Sequence, residues 1–200
     1  MSKRVSKKAN WFKENTFTPD DEIYVGIDVH KRNYHVAIWY NGRIGCVYSM
    51  SSDNHKLLRD LEQMQSALKK IVYEAGPTGY GLVRLLRSAH LPADVVAVSK
   101  TPRMNDSSAK TDRLDCQQLA EYAAKNLLTF VTVPTERQES DRQVVRLRDQ
   151  LASKRLRVMQ QVKSLLLQHN ITISKSRWSE GLVYDLRQLK LSRELKFTLN

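Results

Sequence analysis

One short apolar run, Ile23-Tyr-Val-Gly-Ile-Asp-Val29, constrains the fold of this chain more than any other stretch. Its length and its Val and Ile content predict a strand buried on both faces. A carboxylate in such a place is costly unless it is paired or holds a metal. Asp28 is therefore either a satisfied structural acid or the first ligand of a site. Glu74 stands at the end of a second run, Lys70-Ile-Val-Tyr-Glu-Ala75, in the same way. Asp112 and Asp115 follow in Lys-Thr-Asp-Arg-Leu-Asp, and their spacing puts both carboxylates on one face of a helix. Four acids on two strands and one helix are the parts of a two-metal phosphodiester site.

Between these acids the pattern alternates strands and helices. Asn33 to Tyr40 alternates in polarity and meets Asn41-Gly42, a strong hairpin signal, after which Arg43 to Met50 supplies a third strand. Ser52-Asp53 is a helix start, with Leu57, Leu58, Leu61, Met64 and Leu68 on one stripe. After the strand ending at Glu74, Gly-Pro-Thr-Gly-Tyr-Gly lacks the Lys-Ser/Thr ending of a nucleotide loop. Its glycines are expected to let the backbone pass close beside Glu74. A helix over 82–89 and a parallel-type strand over 94–98 come next. The polar segment 100–110 leads to the Asp112/Asp115 helix, which runs to about Lys125, and 127–133 is a last strand or a packed connector. Three antiparallel strands followed by strand–helix alternation predict an α/β, RNase H-like (RuvC-like) mixed sheet flanked by helices, with its first strand central.

The flanks differ in composition. Residues 1–21 are basic and are expected as a flexible arm, with the catalytic-type domain over 22–134. Pro134-Thr135-Glu136 opens a long basic helix over 135–170, coiled-coil-like in its seam of Val144, Leu151, Val158, Val162 and Leu165. Arg148 and Arg155 interrupt that seam, which makes it a poor dimer zipper by itself and suits an arm that meets a polyanion on one side. Residues 171–200 read as the start of a truncated C-terminal region, because a helix capped by Ser192 stops after two turns.

Charge narrows the partners. With 33 Lys and Arg against 21 Asp and Glu, the net charge of +12 favours a nucleic acid. Candidate phosphate contacts are Lys31, Arg32, Lys100, Arg103 and Lys110 near the acids, and Arg146, Lys154 and Arg157 on the long helix. Carboxylates without a His or Cys cluster suit Mg²⁺ or Mn²⁺, which prefer hard oxygen ligands. Cys46 and Cys116 have no metal-ligand spacing and fit a reducing compartment. The absence of a long apolar run or signal segment points to a cytoplasmic chain.

Val-Gly-Ile-Asp-Val-His-Lys, Tyr-Glu-Ala-Gly-Pro-Thr-Gly-Tyr and Lys-Thr-Asp-Arg-Leu-Asp together resemble the three acidic motifs of the DEDD-type insertion-sequence transposases, which include the Piv-type DNA invertases. The likeness covers about residues 22 to 170. It implies that Asp28, Glu74, Asp112 and Asp115 form the family's catalytic, metal-binding tetrad for DNA strand cleavage and exchange. It also implies a nucleophilic serine in a C-terminal domain that this sequence does not match. Homo-oligomerisation and pairing with a structured noncoding RNA are further family expectations.

Simpler readings stand beside these. Asp28 and Glu74 could be strand-end acids capped by backbone donors, and Asp112 and Asp115 could serve the helix macrodipole or pair with Lys110 and Arg113. His30 lies two residues beyond Asp28 on the same strand face and could touch the site, but an ordinary packed histidine is the expectation, with Tyr80 and Trp178 as core residues. Rival functions are a self-sufficient junction-resolvase or RNase H-type nuclease and a non-catalytic nucleic-acid-binding regulator. A sugar-kinase-type ATPase ranks last, since it needs a glycine where His30 stands.

Overall fold

The computed structural model describes residues 7–74, 76, 78–97, 112–172 and 178–193, with backbone alone at 7 and 112–114. The chain divides into two units, 1–133 and 134–200.

In the first unit, β1 (Ile23–Val29), β2 (Asn33–Tyr40) and β3 (Arg43–Ser51) form an antiparallel meander. The tight turn between β2 and β3 places Asn41 at φ 44° and Gly42 at φ 90°. Two consecutive left-handed residues are what a two-residue hairpin turn demands, and Asn-Gly supplies them at least cost. β4 (Leu68–Glu74) adds to β1 in parallel, β5 (Ala93–Val96) adds to β4 in parallel, and β6 (Phe130–Val131) closes the edge antiparallel. The six-stranded order β3-β2-β1-β4-β5-β6 puts β1 inside the sheet, as the RNase H-like reading requires.

Alternation along β1 divides the sheet's contents. Ile23, Val25 and Ile27 are wholly buried in the main core with Val36, Ile38, Ile71, Tyr73 and Val95. That face is covered by α2 (Asn54–Glu62) through Leu57 and Leu61 and by α3 (Gly81–Ser88) through Leu82, Val83 and Leu86. Each such aliphatic side chain removed from water stabilises the fold by roughly 1.5–3 kcal/mol. Tyr24, Gly26 and Asp28 point to the other face, where α4 (Asp112–Ala124) lies. There Cys116 and Ala120 pack on Ala37, and Leu119 and Ala123 pack on Val72 and Val96.

Several expectations change. The stripe predicted to carry one helix through Leu68 is cut at Glu62, although Met64 and Leu68 remain buried. Asp53 caps α2 by accepting the Lys56 N–H at 3.0 Å, and the chain then turns so that Leu68 can pair with Ile23 in the sheet. Strand pairing and core burial together outweigh one more helical turn. The N-terminal segment, expected as a flexible arm, contains α1 (Lys7–Glu14) packed on the core through Trp11 and Phe12, with Phe17 beside them. Apolar area in these aromatic rings outweighs the basic composition. Lys8 of α1 is ion-paired with Asp60, which is only 7% exposed and also accepts from the Tyr48 hydroxyl at 3.3 Å. Tyr80 is half-buried against the core, as expected.

In the second unit, α5 (Glu136–Gln168) begins at a capping box. The Thr135 hydroxyl accepts the Gln138 N–H at 3.2 Å, and the Gln138 side chain accepts the Thr135 N–H at 3.1 Å. Val144, Leu151 and Val158 of the predicted seam are exposed, while Val162 and Leu165 are half-buried. Further on, Leu166 is buried, as is Leu182 of α6 (Glu180–Gln188), whose first turn is capped by Ser179. Trp178, expected in a core, instead lines an open groove with Arg155, Val158, Met159 and Val183. The helix predicted from Ser192 falls mostly outside the described residues. No helix among those described is long and apolar enough to cross a membrane.

Candidate carboxylate site

The site is built by strand register. Ile27 of β1 pairs with Tyr73 of β4, so the next residues, Asp28 and Glu74, end neighbouring parallel strands. Gly26 pairs with Val72 two residues earlier, and Val72 packs under α4. Asp28 and Glu74 therefore lie on the α4 face, just beyond the part of the sheet that α4 covers. Both are partly exposed, with the Asp28 side chain at 22%.

Gly26 sets how closely α4 approaches. A Cβ at this position would lie 2.2 Å from the Cys116 carbonyl oxygen, 2.5 Å from the Ala120 nitrogen and 2.9 Å from the Leu119 Cβ. Only glycine lets the helix backbone rest on β1. Cys116 is held there, and Asp115 directly precedes it, one turn after Asp112 at the helix start. Burial first, and then the nearby charges of Asp28 and Asp115, push the Cys116 thiol up to about 12. The thiol thus stays protonated at neutral pH and offers no thiolate ligand or nucleophile.

A second anchor fixes the chain after Glu74. The Tyr73 hydroxyl accepts the Val83 N–H at 3.3 Å and donates to the Gly79 carbonyl at 3.4 Å, tying the turn to α3. Burial pushes that hydroxyl up to about 12. Gly79 is required for its φ of 71°. Gly76, expected to allow a close approach beside Glu74, does not do so: an added Cβ would stand 3.8 Å from the Glu74 carbonyl, an ordinary contact.

His30 departs from its expected role. It is not packed in the core; its side chain is 48% exposed and its Nε2 lies 2.9 Å from Asp28 Oδ2. The β1–β2 turn that contains it folds back through the His30 N–H to the Asn33 carbonyl, 3.0 Å, and brings the ring beside Asp28. Sequence reasoning gave no role to His35 and Ser49. Asp28 is in register with His35, and His35 with Ser49, so one row of polar groups crosses three strands. The signal was present in alternation: Asp28 and Ser49 follow Gly26 and Val47 by two places, and His35 precedes Ala37 by two, each on the face under α4.

The remaining predicted residues divide by location. Lys31 and Arg32 are exposed in the β1–β2 turn next to Asp28. Lys100, Arg103 and Lys110 lie outside the described residues, as does the Asp112 side chain. Arg146, Lys154 and Arg157 are exposed on α5, and their spacing keeps them within one side of that helix. Among the described residues, no group of three or more His, Cys, Asp or Glu comes together closely enough to hold a metal ion. Asp28 and Glu74 are neighbours at one corner, and Asp115 lies on the helix that covers that face of the sheet, without a preassembled ligand cage among the described residues. Their chemistry suits a hard cation nonetheless: the carboxylates are oxygen donors, and the adjacent sulfur is a buried thiol.

The chain is similar to known proteins over most of its length. The chain is 36% identical over 164 residues to y4qE of Sinorhizobium fredii (strain NBRC 101917 / NGR234), provisionally named a transposase, covering 79% of this chain and 42% of that protein. It is 28% identical over 189 residues to the transposase for insertion sequence element IS1533 of Leptospira borgpetersenii, covering 82% of this chain and 51% of that protein. The chain thus spans about half the length of these curated relatives. The profile of the DEDD transposases of the IS110 group, described as a transposase family, matches residues 25–171. That stretch contains Asp28, Glu74, Asp112 and Asp115, and the chain belongs to this transposase family.

Proposed function

We propose that this chain is the N-terminal part of a DNA transposase of a mobile insertion element, in which Asp28, Glu74, Asp112 and Asp115 hold Mg²⁺ or Mn²⁺ for DNA strand cleavage and exchange. The observation that carries the reading is the corner itself. Asp28 and Glu74 lie at the ends of adjacent parallel strands, and α4, which carries Asp112 and Asp115, rests on β1 at Gly26. A divalent cation bound there supplies charge stabilisation at a phosphate and at the oxygens that enter and leave it. The chain's own residues then have separate tasks. Asp28 and Glu74 are fixed by the sheet; Asp112 and Asp115 come from a helix that can be displaced only by breaking its contact with β1. His30 sets the orientation of the Asp28 carboxylate. Lys31 and Arg32 in the adjoining turn, and Lys100, Arg103 and Lys110, neutralise flanking phosphates, while Arg146, Lys154 and Arg157 give α5 a second cationic face.

Three finer elements rest on the family resemblance alone: a serine nucleophile supplied from outside residues 1–200, a structured noncoding RNA as a guide, and a homo-oligomeric working form. In this reading 22–134 is the catalytic domain and 135–170 the helical arm.

The test is metal-dependent stability. Clustered carboxylates repel one another without a cation, so Mg²⁺ or Mn²⁺ is expected to raise the melting temperature. Asp28→Asn and Glu74→Gln are each expected to remove most of that rise. An equal shift in wild type and both variants overturns the assignment.

A further inference from the structure

The groove at Trp178 has no task in the function proposed above. It is formed by α5 and the start of α6, offers about 430 Å³, and is lined mostly by apolar atoms of Val158, Met159, Trp178 and Val183, with Arg155, Ser179 and Glu180. That volume falls within the roughly 300–1,000 Å³ of small-molecule sites. Trp178 is half-buried and its indole N–H is buried without an acceptor, so a satisfied core position does not account for the ring. Arg155 is exposed, and among the described residues it has neither a carboxylate partner nor a stacking contact with Trp178. Glu180 stands in the first turn of α6, where the helix dipole favours an acid. The surrounding charge is of one sign. From Gln150 to Ser179 the sequence has no Asp or Glu, while α5 presents Lys154, Arg155, Arg157 and Lys163 over that stretch.

We propose that this groove holds an unpaired base of a DNA strand, packed against Trp178 and Met159, with Arg155 on the adjoining phosphate. The assignment rests on the reading of the chain as part of a DNA transposase. An indole offers an apolar surface to any base, and the base brings a phosphate whose charge answers the unpartnered guanidinium. A base inside a duplex keeps both faces against its neighbours, so only one out of the stack can enter. An apolar segment of a protein would fill the groove as well, but it would cover Arg155 without a partner, which is costly in a desolvated site. The acid-free stretch extends the same preference beyond the groove, because a strand leaving it stays on cationic surface. DNA is the occupant because it is the substrate of the underlying reading. A Trp178 that only holds α6 in place predicts equal effects on every nucleic acid bound by the chain.

The experiment uses the full chain and three variants: Trp178→Ala, Trp178→Phe and Arg155→Gln. Binding is measured by fluorescence anisotropy with fluorescein-labelled oligothymidine, a DNA duplex of the same length and oligouridine, and circular dichroism checks that helix content is kept. Trp178→Ala is expected to weaken oligothymidine binding about tenfold, the effect of losing one stacked base, and duplex binding by less than about twofold. Trp178→Phe, which keeps an aromatic face, should recover most of the loss. Arg155→Gln should weaken oligothymidine binding and lower its slope of log affinity against log salt by about 0.7, the value for one phosphate on a single strand. Equal losses for oligothymidine and duplex overturn the groove as a base site, and so does a loss confined to oligouridine. Wild-type affinity with a changed sedimentation coefficient in Trp178→Ala overturns it in favour of a protein contact. If Trp178→Ala loses helix content, Trp178→Phe and Arg155→Gln decide, and a wild-type salt slope in Arg155→Gln overturns the proposal. A wild-type chain that binds duplex but not oligothymidine overturns the groove alone; one that binds neither at low salt overturns the underlying reading with it.

Discussion

Gly26→Ala tests whether the close approach of α4 to β1 is what assembles the site. The new Cβ would sit 2.2 Å from the Cys116 carbonyl oxygen and 2.5 Å from the Ala120 nitrogen. Separations near 3.5 Å are ordinary, so the helix must rise by roughly 1 Å. In an open strand, Gly→Ala would gain about 0.5–1 kcal/mol from reduced backbone entropy in the unfolded chain. Overpacking of a tight contact costs about 1–3 kcal/mol, and at these distances the clash wins. At about 3 °C per kcal/mol for a domain of this size, the melting temperature should fall by several degrees. The same displacement lifts Asp115 and Asp112 from Asp28, and a misplacement of about 1 Å can cost 10²-fold in a reaction that depends on position. Differential scanning fluorimetry with and without Mg²⁺ reads both effects: a lower melting temperature and a reduced metal-dependent rise. Because the two nearest clashes involve backbone atoms, Leu119→Ala should not rescue the variant, although it removes the contact at 2.9 Å. A Gly26→Ala chain that melts like wild type and keeps the full metal response would refute the reasoning. Rescue by Leu119→Ala would show that the side chain, and not the helix backbone, sets the approach.

Lys8→Met should destabilise the first unit by about 1–3 kcal/mol, because it leaves Asp60 buried without its cation; faster hydrogen exchange over Lys7–Glu14 is the check. Asp21 is held down to about 2 by the Asn41 side chain first and then by the Thr18 backbone N–H. A depressed carboxylate stabilises the fold above its unfolded value of 3.8, and that contribution is lost as the pH falls from there through about 2. Asn41→Ala should therefore move the acid-unfolding midpoint to higher pH, as followed by circular dichroism. Replacing Arg146, Lys154 and Arg157 by Gln should reduce the slope of log affinity against log salt for duplex DNA by about 2.7, if each contacts one phosphate. An unchanged slope would assign binding to other cations.

Much of the architecture was determined by local pattern. The Val- and Ile-rich run around Asp28, the Asn41-Gly42 turn and the strand ending at Glu74 have few physical alternatives, so the mixed sheet and the order of its first four strands were legible. Thr135 and Gln138 marked the start of the long helix for the same reason: a capping box satisfies local donors whatever surrounds it. Other features depended on partners distant in sequence. Basic composition suggested a flexible arm before α1, but Trp11, Phe12 and Phe17 pack where the core offers apolar surface, and Lys8 finds Asp60 there. The helical stripe through Met64 and Leu68 was periodic, yet pairing with Ile23 converted its end to strand. Tertiary structure alone decided that Gly26 admits a helix backbone, that His30 turns toward Asp28, and that Ser49 and His35 stand in register with it. Asp28 and Glu74 stood out in the sequence as candidates because a charge at the end of an apolar run is costly to bury. Their neighbours did not, because a histidine or serine at a strand end is cheap in many environments and acquires a role only from what the fold places beside it.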